Sequence, residues 1–180
     1  MALPAFVANR VIENPPDAVR SLARMTRHAP WVVANLHLRE PPWASAGVPL
    51  AWDHVIHGSD SSLGYVVATH QDLNPAPGPT VLTWYCAPGE NARGDVLQRP
   101  WTHWRDRAVQ ELSVPHRDLA RHLTRVEVMR YGHAMPIPVP GVLSRLPAAP
   151  VTGRLRFAHS DWAGYSIFEE AFTLGHRAGT

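Results

Sequence analysis

Two apolar runs, LGYVVATHQ at 63–71 and TVLTWYC at 80–86, constrain the fold more than any other feature of the chain. Both are rich in β-branched and aromatic residues. The NPAPGP segment between them suits a turn and no regular element. Two strands joined by such a turn make a hairpin, so part of this protein is a sheet. PWVVANLHL (30–38) reads as another strand. LTRVEVMRYGHAM (123–135) reads as a long one, with Val126 and Val128 alternating against polar neighbours. AWDHVIHGSDSS (51–62) reads as a short strand followed by a turn. GRLRFAH (153–159) reads as a last strand, with Leu155 and Phe157 on one face.

Helical spacing occupies other stretches. Residues 15–27 begin with two prolines, which suit a first turn where a missing N–H costs nothing. Val19, Leu22, Ala23, Met25 and Thr26 form the apolar stripe. Residues 100–112 place Trp101, Trp104, Ala108 and Leu112 on one side. PHRDLARHL (115–123) reads as a short helix, and a final helix begins near Ser166. REPPWASAGVPL (39–50) and PIPVPGVLSRLPAAPVTG (136–153) are proline-rich and irregular. The expected fold is therefore α+β: a mixed or antiparallel sheet with a few helices gathered at one end. At 180 residues it is one domain by length. Such a chain can bury roughly 70% of its unfolded surface.

Composition removes several function classes. All 17 basic side chains are arginine, so the chain offers no lysine for a Schiff base or for phosphate binding. The arginines are scattered among acids, where a nucleic-acid reader would concentrate them on one face. The formal charge is only +2. Cys86 is the single cysteine, which excludes an internal disulfide and a cysteine zinc cluster; it reads as a buried thiol. No stretch approaches the roughly 20 apolar residues of a membrane span, and the amino end has no secretory pattern. A cytoplasmic setting is the expectation.

The carboxyl-terminal segment, FAHSDWAGYSIFEEAFTLGHRAG (157–179), carries the functional signal. Ser160 and Asp161 follow the strand's end, where open sheets bind ligands. Ser166 and Glu169 have the spacing of a capping box. Phe168, Ala171, Phe172, Gly175 and Ala178 share one helical face whose small members allow a close approach. The N–H groups at the helix start favour an anion, or a group that becomes anionic.

These residues resemble the carboxyl-terminal flavin-binding segment of the FAD-dependent amine oxidase superfamily. The matching positions are Phe157, Ala158, Asp161, Glu169, Glu170, Ala171, Gly175 and Ala178. Residues 29–38, 63–86 and 123–140, RYGHAMPIPVPG above all, resemble the family's substrate-binding domain. The resemblance implies an FAD-dependent oxidoreductase that removes hydride from a C–N or C–C bond. It implies a substrate-binding region at 1–150 and the terminal strand–loop–helix of the FAD-binding domain at 151–180. Cofactor binding would fall to Ser160, Asp161, Ser166, Ile167, Phe168, Glu169 and Ala171, with Asp161 near the ribityl and pyrophosphate part of FAD. His133 takes a position near the flavin or substrate, as a catalytic or a structural histidine. Trp84, Tyr131 and Tyr165 would line a pocket for a small-molecule substrate; aromatic strand residues such as Trp84 and Tyr85 serve equally as core. The position just ahead of the helix, aromatic where an amine is caged, holds Ile167.

The Gly-x-Gly-x-x-Gly fingerprint that holds the pyrophosphate on another helix does not occur in these 180 residues. The chain therefore reads as the back part of a flavoenzyme, with a separate or upstream dinucleotide-binding half as its expected partner. The rival reading is an inactive remnant, or a binding module packing its terminal helix on a partner. No metal is expected. His54 and His57, with Asp53 and Asp60 nearby, lie on a strand and turn without the HxxxH-plus-Glu pattern. Ser59, Ser61 and Ser62 near His57 lack a Gly-x-Ser-x-Gly elbow.

Overall fold

The computed structural model describes residues 1–43, 51–59, 62–71, 73 and 78–180. Residues 44–50 of the long loop, 74–77 of the NPAPGP turn, Asp60 and Ser61 lie outside the described residues. The fold is α+β, and its sheet is antiparallel. Two compact units make up the chain: residues 1–29 together with 133–180, and residues 30–132.

The second unit holds most of the sheet. Strands β1 (His28–Leu38), β2 (Asp53–His54), β3 (Ser62–Val67), β4 (Thr80–Cys86) and β5 (Leu123–Pro136) lie in the order β2-β3-β4-β1-β5. The expected hairpin is β3 and β4, antiparallel, with Tyr65 opposite Trp84 and Val67 opposite Leu82. β1 adds antiparallel to β4, Val33 opposite Tyr85. Hydrogen bonds just beyond its two ends, Arg39 N–H to His122 O and Ile137 N–H to Arg27 O, give β5 the antiparallel sense too.

Alternation in β1 and β4 divides the sheet into two faces. Val32, Ala34, Leu36 and Leu38 with Leu82, Trp84 and Cys86 are buried. They form one core with Val96 of α3 (Arg93–Gln98), Trp104, Ala108 and Leu112 of α4 (Trp101–Leu112), and Leu119 of α5 (Leu119–His122). Burying one such aliphatic side chain is worth about 1.5–3 kcal/mol. Trp101 departs from its expected place. It keeps the angular position of the stripe, but the core does not extend to the first turn of α4. The ring is half exposed, with the Arg105 guanidinium 5.1 Å above it.

The first unit is built on α1 (Ala5–Val11) and α2 (Asp17–Met25). Ala5 and Ala8 pack with Val19 and Leu22 of the predicted helix, and with Phe157 and Trp162. GRLRFAH is not a strand of the sheet. Its one β-bridge is Thr152–Leu155, and beyond it the Met1 amino group donates to Arg156 O while Ala158 N–H donates to Met1 O. The alternation still sets burial, with Phe157 inside, but no full strand lies alongside it. The terminal helix α6 spans Phe168–Gly179.

Candidate functional site

The first unit brings Ser160, Asp161 and the start of α6 into one short segment. Ser160–Trp162 is a single 3-10 turn, wholly buried. Asp161 is 0% exposed. Its Oδ2 accepts from Ala5 N–H at 2.8 Å, the first residue of α1, where a carboxylate complements the helix dipole. Its Oδ1 lies 3.2 Å from Nε2 of His28 and 3.3 Å from Nδ1 of His159. Burial alone would raise the carboxyl pKa. Hydrogen bonds from His159, His28 and Ala5, with the charge of His159, outweigh it and hold the group well below the usual carboxylate range. The expected contact of this side chain with a cofactor is therefore corrected: Asp161 spends both oxygens inside the chain, as an anchor.

His133 is exposed and joins this cluster from the side. Its ring lies 4.8 Å from that of Phe6 and 6.2 Å from that of His28, and Phe6 is 5.2 Å from His28. Two histidines and a carboxylate thus stand in sequence, from the surface to the buried turn. Sequence reasoning missed Phe6, His28 and His159; the spacing of Ala5, Ala8 and Ile12 after Pro4 was the available signal for α1.

The start of α6 differs from expectation in a way that bears on chemistry. The N-cap is Ile167, and no side chain caps the helix. Ser166 and Glu169 keep their mutual spacing but both sit one residue too early for this helix start, and the capping box does not form. Ile167 and Phe168 are exposed, Phe168 by 74%, as are Glu169 and Ala171. No residue of α6 is buried. Phe168 and Phe172 stack on each other at 5.8 Å. A side chain at Gly175 would meet nothing within 4 Å, so the expected close approach at that glycine has no neighbour among the described residues. Tyr165 is half exposed.

The second unit offers the sheet face opposite the core. Trp84 is not on it. Its ring is 0% exposed on the helix side, and its indole N–H donates to Glu111. The pocket role expected of Trp84 is corrected by strand parity, which turns Tyr85 to the open face instead. There Tyr85 stacks near Trp31 and donates from its hydroxyl to Asp53 at 2.6 Å. Thr83 donates to Asn35, His37 meets Glu127, and Tyr131 stands half exposed over Met129. His54 stacks on Tyr65 at 4.7 Å, so its ring serves packing. Among the described residues no three His, Cys, Asp or Glu side chains are grouped for a metal, and no helix is long and apolar enough to cross a membrane.

Comparison with known proteins adds a fold. No family model matches the chain, and no curated protein matches it significantly in sequence. Among solved structures, cyclohexylamine oxidase from Brevibacterium oxydans IH-35A is similar, with a TM-score of 0.69 and 17% identity. The match covers 99% of this chain and 40% of that one, so the present chain spans about two fifths of the oxidase's length. The likeness defines an α+β fold shared with part of an amine oxidase.

Proposed function

We propose that this chain is the substrate-facing and terminal flavin-facing part of an FAD-dependent oxidoreductase of the amine oxidase type. The observation that carries the reading is the pairing of a whole-chain fold likeness with the terminal segment's resemblance. A second support is the uncapped start of α6, whose N–H groups are met by no side chain. These donors at Phe168 and Glu169, flanked by Ile167, would hold an acceptor edge of the flavin and favour charge developing there. FAD, when bound, supplies the two-electron acceptor for hydride removed from a C–N or C–C bond. Asp161 acts as a positioning residue, tying the turn before α6 to α1 and His28. Ser160 is buried beside it and would contribute through the turn's backbone. His133 stands where it can orient or exchange a proton with a bound group. Tyr131 and Tyr165 offer half-exposed aromatic surface to a small-molecule substrate.

The partner in this reading is a dinucleotide-binding half. It accounts for the bare face of α6, with Phe168 74% and Phe172 64% exposed. The same bare face supports the second reading, an inactive module that packs its terminal helix on a partner. Co-expression separates the two. The chain would be produced with a half bearing Gly-x-Gly-x-x-Gly, sought in the DNA upstream of Met1 or in a neighbouring gene. Visible flavin absorbance in the purified complex is the expected result, with weak or no FAD binding by the 180-residue chain alone. A colourless complex overturns the flavin reading, and tight FAD binding by the isolated chain overturns the need for the other half.

A further inference from the structure

We infer that a cleft in the first unit binds an organic carboxylate with an apolar body, held by Arg156, Arg177 and Trp162. The cleft has a volume of about 380 Å³ and lies wholly within residues 147–178. Val151, Phe157, Trp162 and Leu174 give it apolar walls, with the Phe157 and Trp162 rings 5.6 Å apart. Leu174 and Arg177 come from the carboxyl-terminal half of α6. They stand on the side of that helix away from Phe168 and Phe172, about 9–14 Å along the axis from its first residue. The site is thus apart from the N–H groups assigned to the flavin edge, and it does not rest on the flavin reading.

Two observations point to an anion. Among the described residues that line the cleft, the charged ones are Arg156 and Arg177, and none is an acid. Neither guanidinium forms an ion pair among the described residues. Arg156 is tethered by Nη1 to the carbonyls of Gly153 and Leu155, which orients its fork and leaves Nε and Nη2 to donate elsewhere. The second observation is Trp162, which is 6% exposed and whose buried indole N–H has no hydrogen-bond partner among the described residues. A donor left unmet in this way costs about 1–3 kcal/mol. Because Trp162 is a wall of the cleft, an acceptor bound there can meet it. A carboxylate suits these donors, since its two oxygens accept from a guanidinium fork and an indole N–H together. Phosphate fits less well: the end of α6 carries partial negative charge, which opposes a doubly charged group most. The apolar walls likewise call for a carbon body, which inorganic phosphate lacks.

Calorimetric titration of the purified 180-residue chain, with no flavin present, tests this with 2-naphthoate, 2-naphthalenemethanol and inorganic phosphate. Naphthoate is expected to bind with a Kd of about 1 mM or tighter, and the alcohol and phosphate at least about tenfold more weakly. Arg177→Gln should weaken naphthoate about tenfold and Trp162→Phe, which keeps a ring and removes the N–H, about fivefold. Thermal unfolding confirms that each variant is folded. If Trp162→Phe does not fold, the exposed Arg177→Gln and the naphthoate-to-alcohol ratio still decide. Equal affinity for the alcohol overturns the anion, and equal affinity for phosphate overturns the apolar body. Unchanged binding in either folded variant, or no naphthoate binding up to about 10 mM, overturns the site. Because FAD takes no part, failure here leaves the flavin reading standing, and a colourless complex leaves this site standing.

Discussion

Nε2 of His28 lies 3.2 Å from Oδ1 of Asp161, and both side chains are buried. The two residues are 133 positions apart, and the same carboxylate also accepts from the first N–H of α1. One acid thus fixes the amino-terminal helix, the start of β1 and the turn that precedes α6. Removing it leaves the buried Ala5 N–H and the buried His28 ring without their carboxylate partner. Asp161→Ala is expected to cost about 3–5 kcal/mol in urea unfolding. A loss under about 1 kcal/mol would show that the cluster does not hold the unit together.

The same group sets an acid limb. Its pKa in the fold is depressed below that of the unfolded chain, near 4. As pH falls, the unfolded chain takes up the proton first. The stabilisation is complete above about pH 4 and is lost progressively below it. Urea midpoints between about pH 5 and pH 2 should fall more gently in Asp161→Asn than in the parent chain. Parallel acid limbs would remove Asp161 from this role.

His116 and Tyr65 set a second, milder window. Nε2 of His116 bonds the Tyr65 hydroxyl at 2.7 Å. Burial lowers the imidazole pKa, the charge of Asp118 opposes it more weakly, and His54 adds to the lowering; burial also lifts the Tyr65 phenol to about 12. The pair is therefore neutral on both sides. In the unfolded chain the imidazole charges near pH 6.5, so stability is full above that value and declines as pH falls below it. The slope approaches at most about 1.4 kcal/mol per pH unit. His116→Gln keeps a hydrogen-bonding group and removes the titration. It should narrow the stability difference between about pH 7 and pH 5, and an unaltered difference would assign that slope to other groups.

Sequence periodicity was sufficient for β1, β4, α2 and α4, because each has a solvent side and a core side that its own residues declare. It was insufficient where the partner decides. TVLTWYC alternates cleanly, yet nothing in those seven letters says whether Trp84 or Tyr85 faces the helices; the stripe of α4 makes that choice. GRLRFAH has strand alternation, but its backbone bonds go to Met1 and to one bridge, so no ladder forms. The terminal segment marked Asp161 as important, and its chemistry was misplaced because Ala5 and His28 are remote in the chain. The capping box failed by one residue, a distance that pattern reading does not resolve.

Gly64 is a backbone requirement. It has φ +121°, and a Cβ there would stand 1.8 Å from the carbonyl oxygen of His54 on the adjacent strand. It also sits at a register shift between Ser62 and Gly64, where β3 bulges against β4. Gly64→Ala must both strain the backbone and push β2 away, at a cost of at least about 3 kcal/mol. A folded Gly64→Ala chain of parent stability would contradict the close approach.

The bare start of α6 gives the test that most directly joins structure to the proposed chemistry. Ile167 has the extended backbone of an N-cap, φ −126° and ψ 156°, but no side-chain oxygen. Glu170 stands three residues later. Ile167→Ser would therefore complete the box that Ser166 misses, with the hydroxyl accepting from the third N–H and Glu170 reaching back. Amide exchange across 168–172 should slow, and the helix should gain about 1 kcal/mol. In the complex with the dinucleotide-binding half, the same hydroxyl competes for the donors assigned to the flavin edge. FAD affinity or the reductive half-reaction should then drop by about tenfold, although the chain itself is more stable. A protein that gains the cap and keeps flavin affinity and rate would show that those N–H groups face something other than the cofactor.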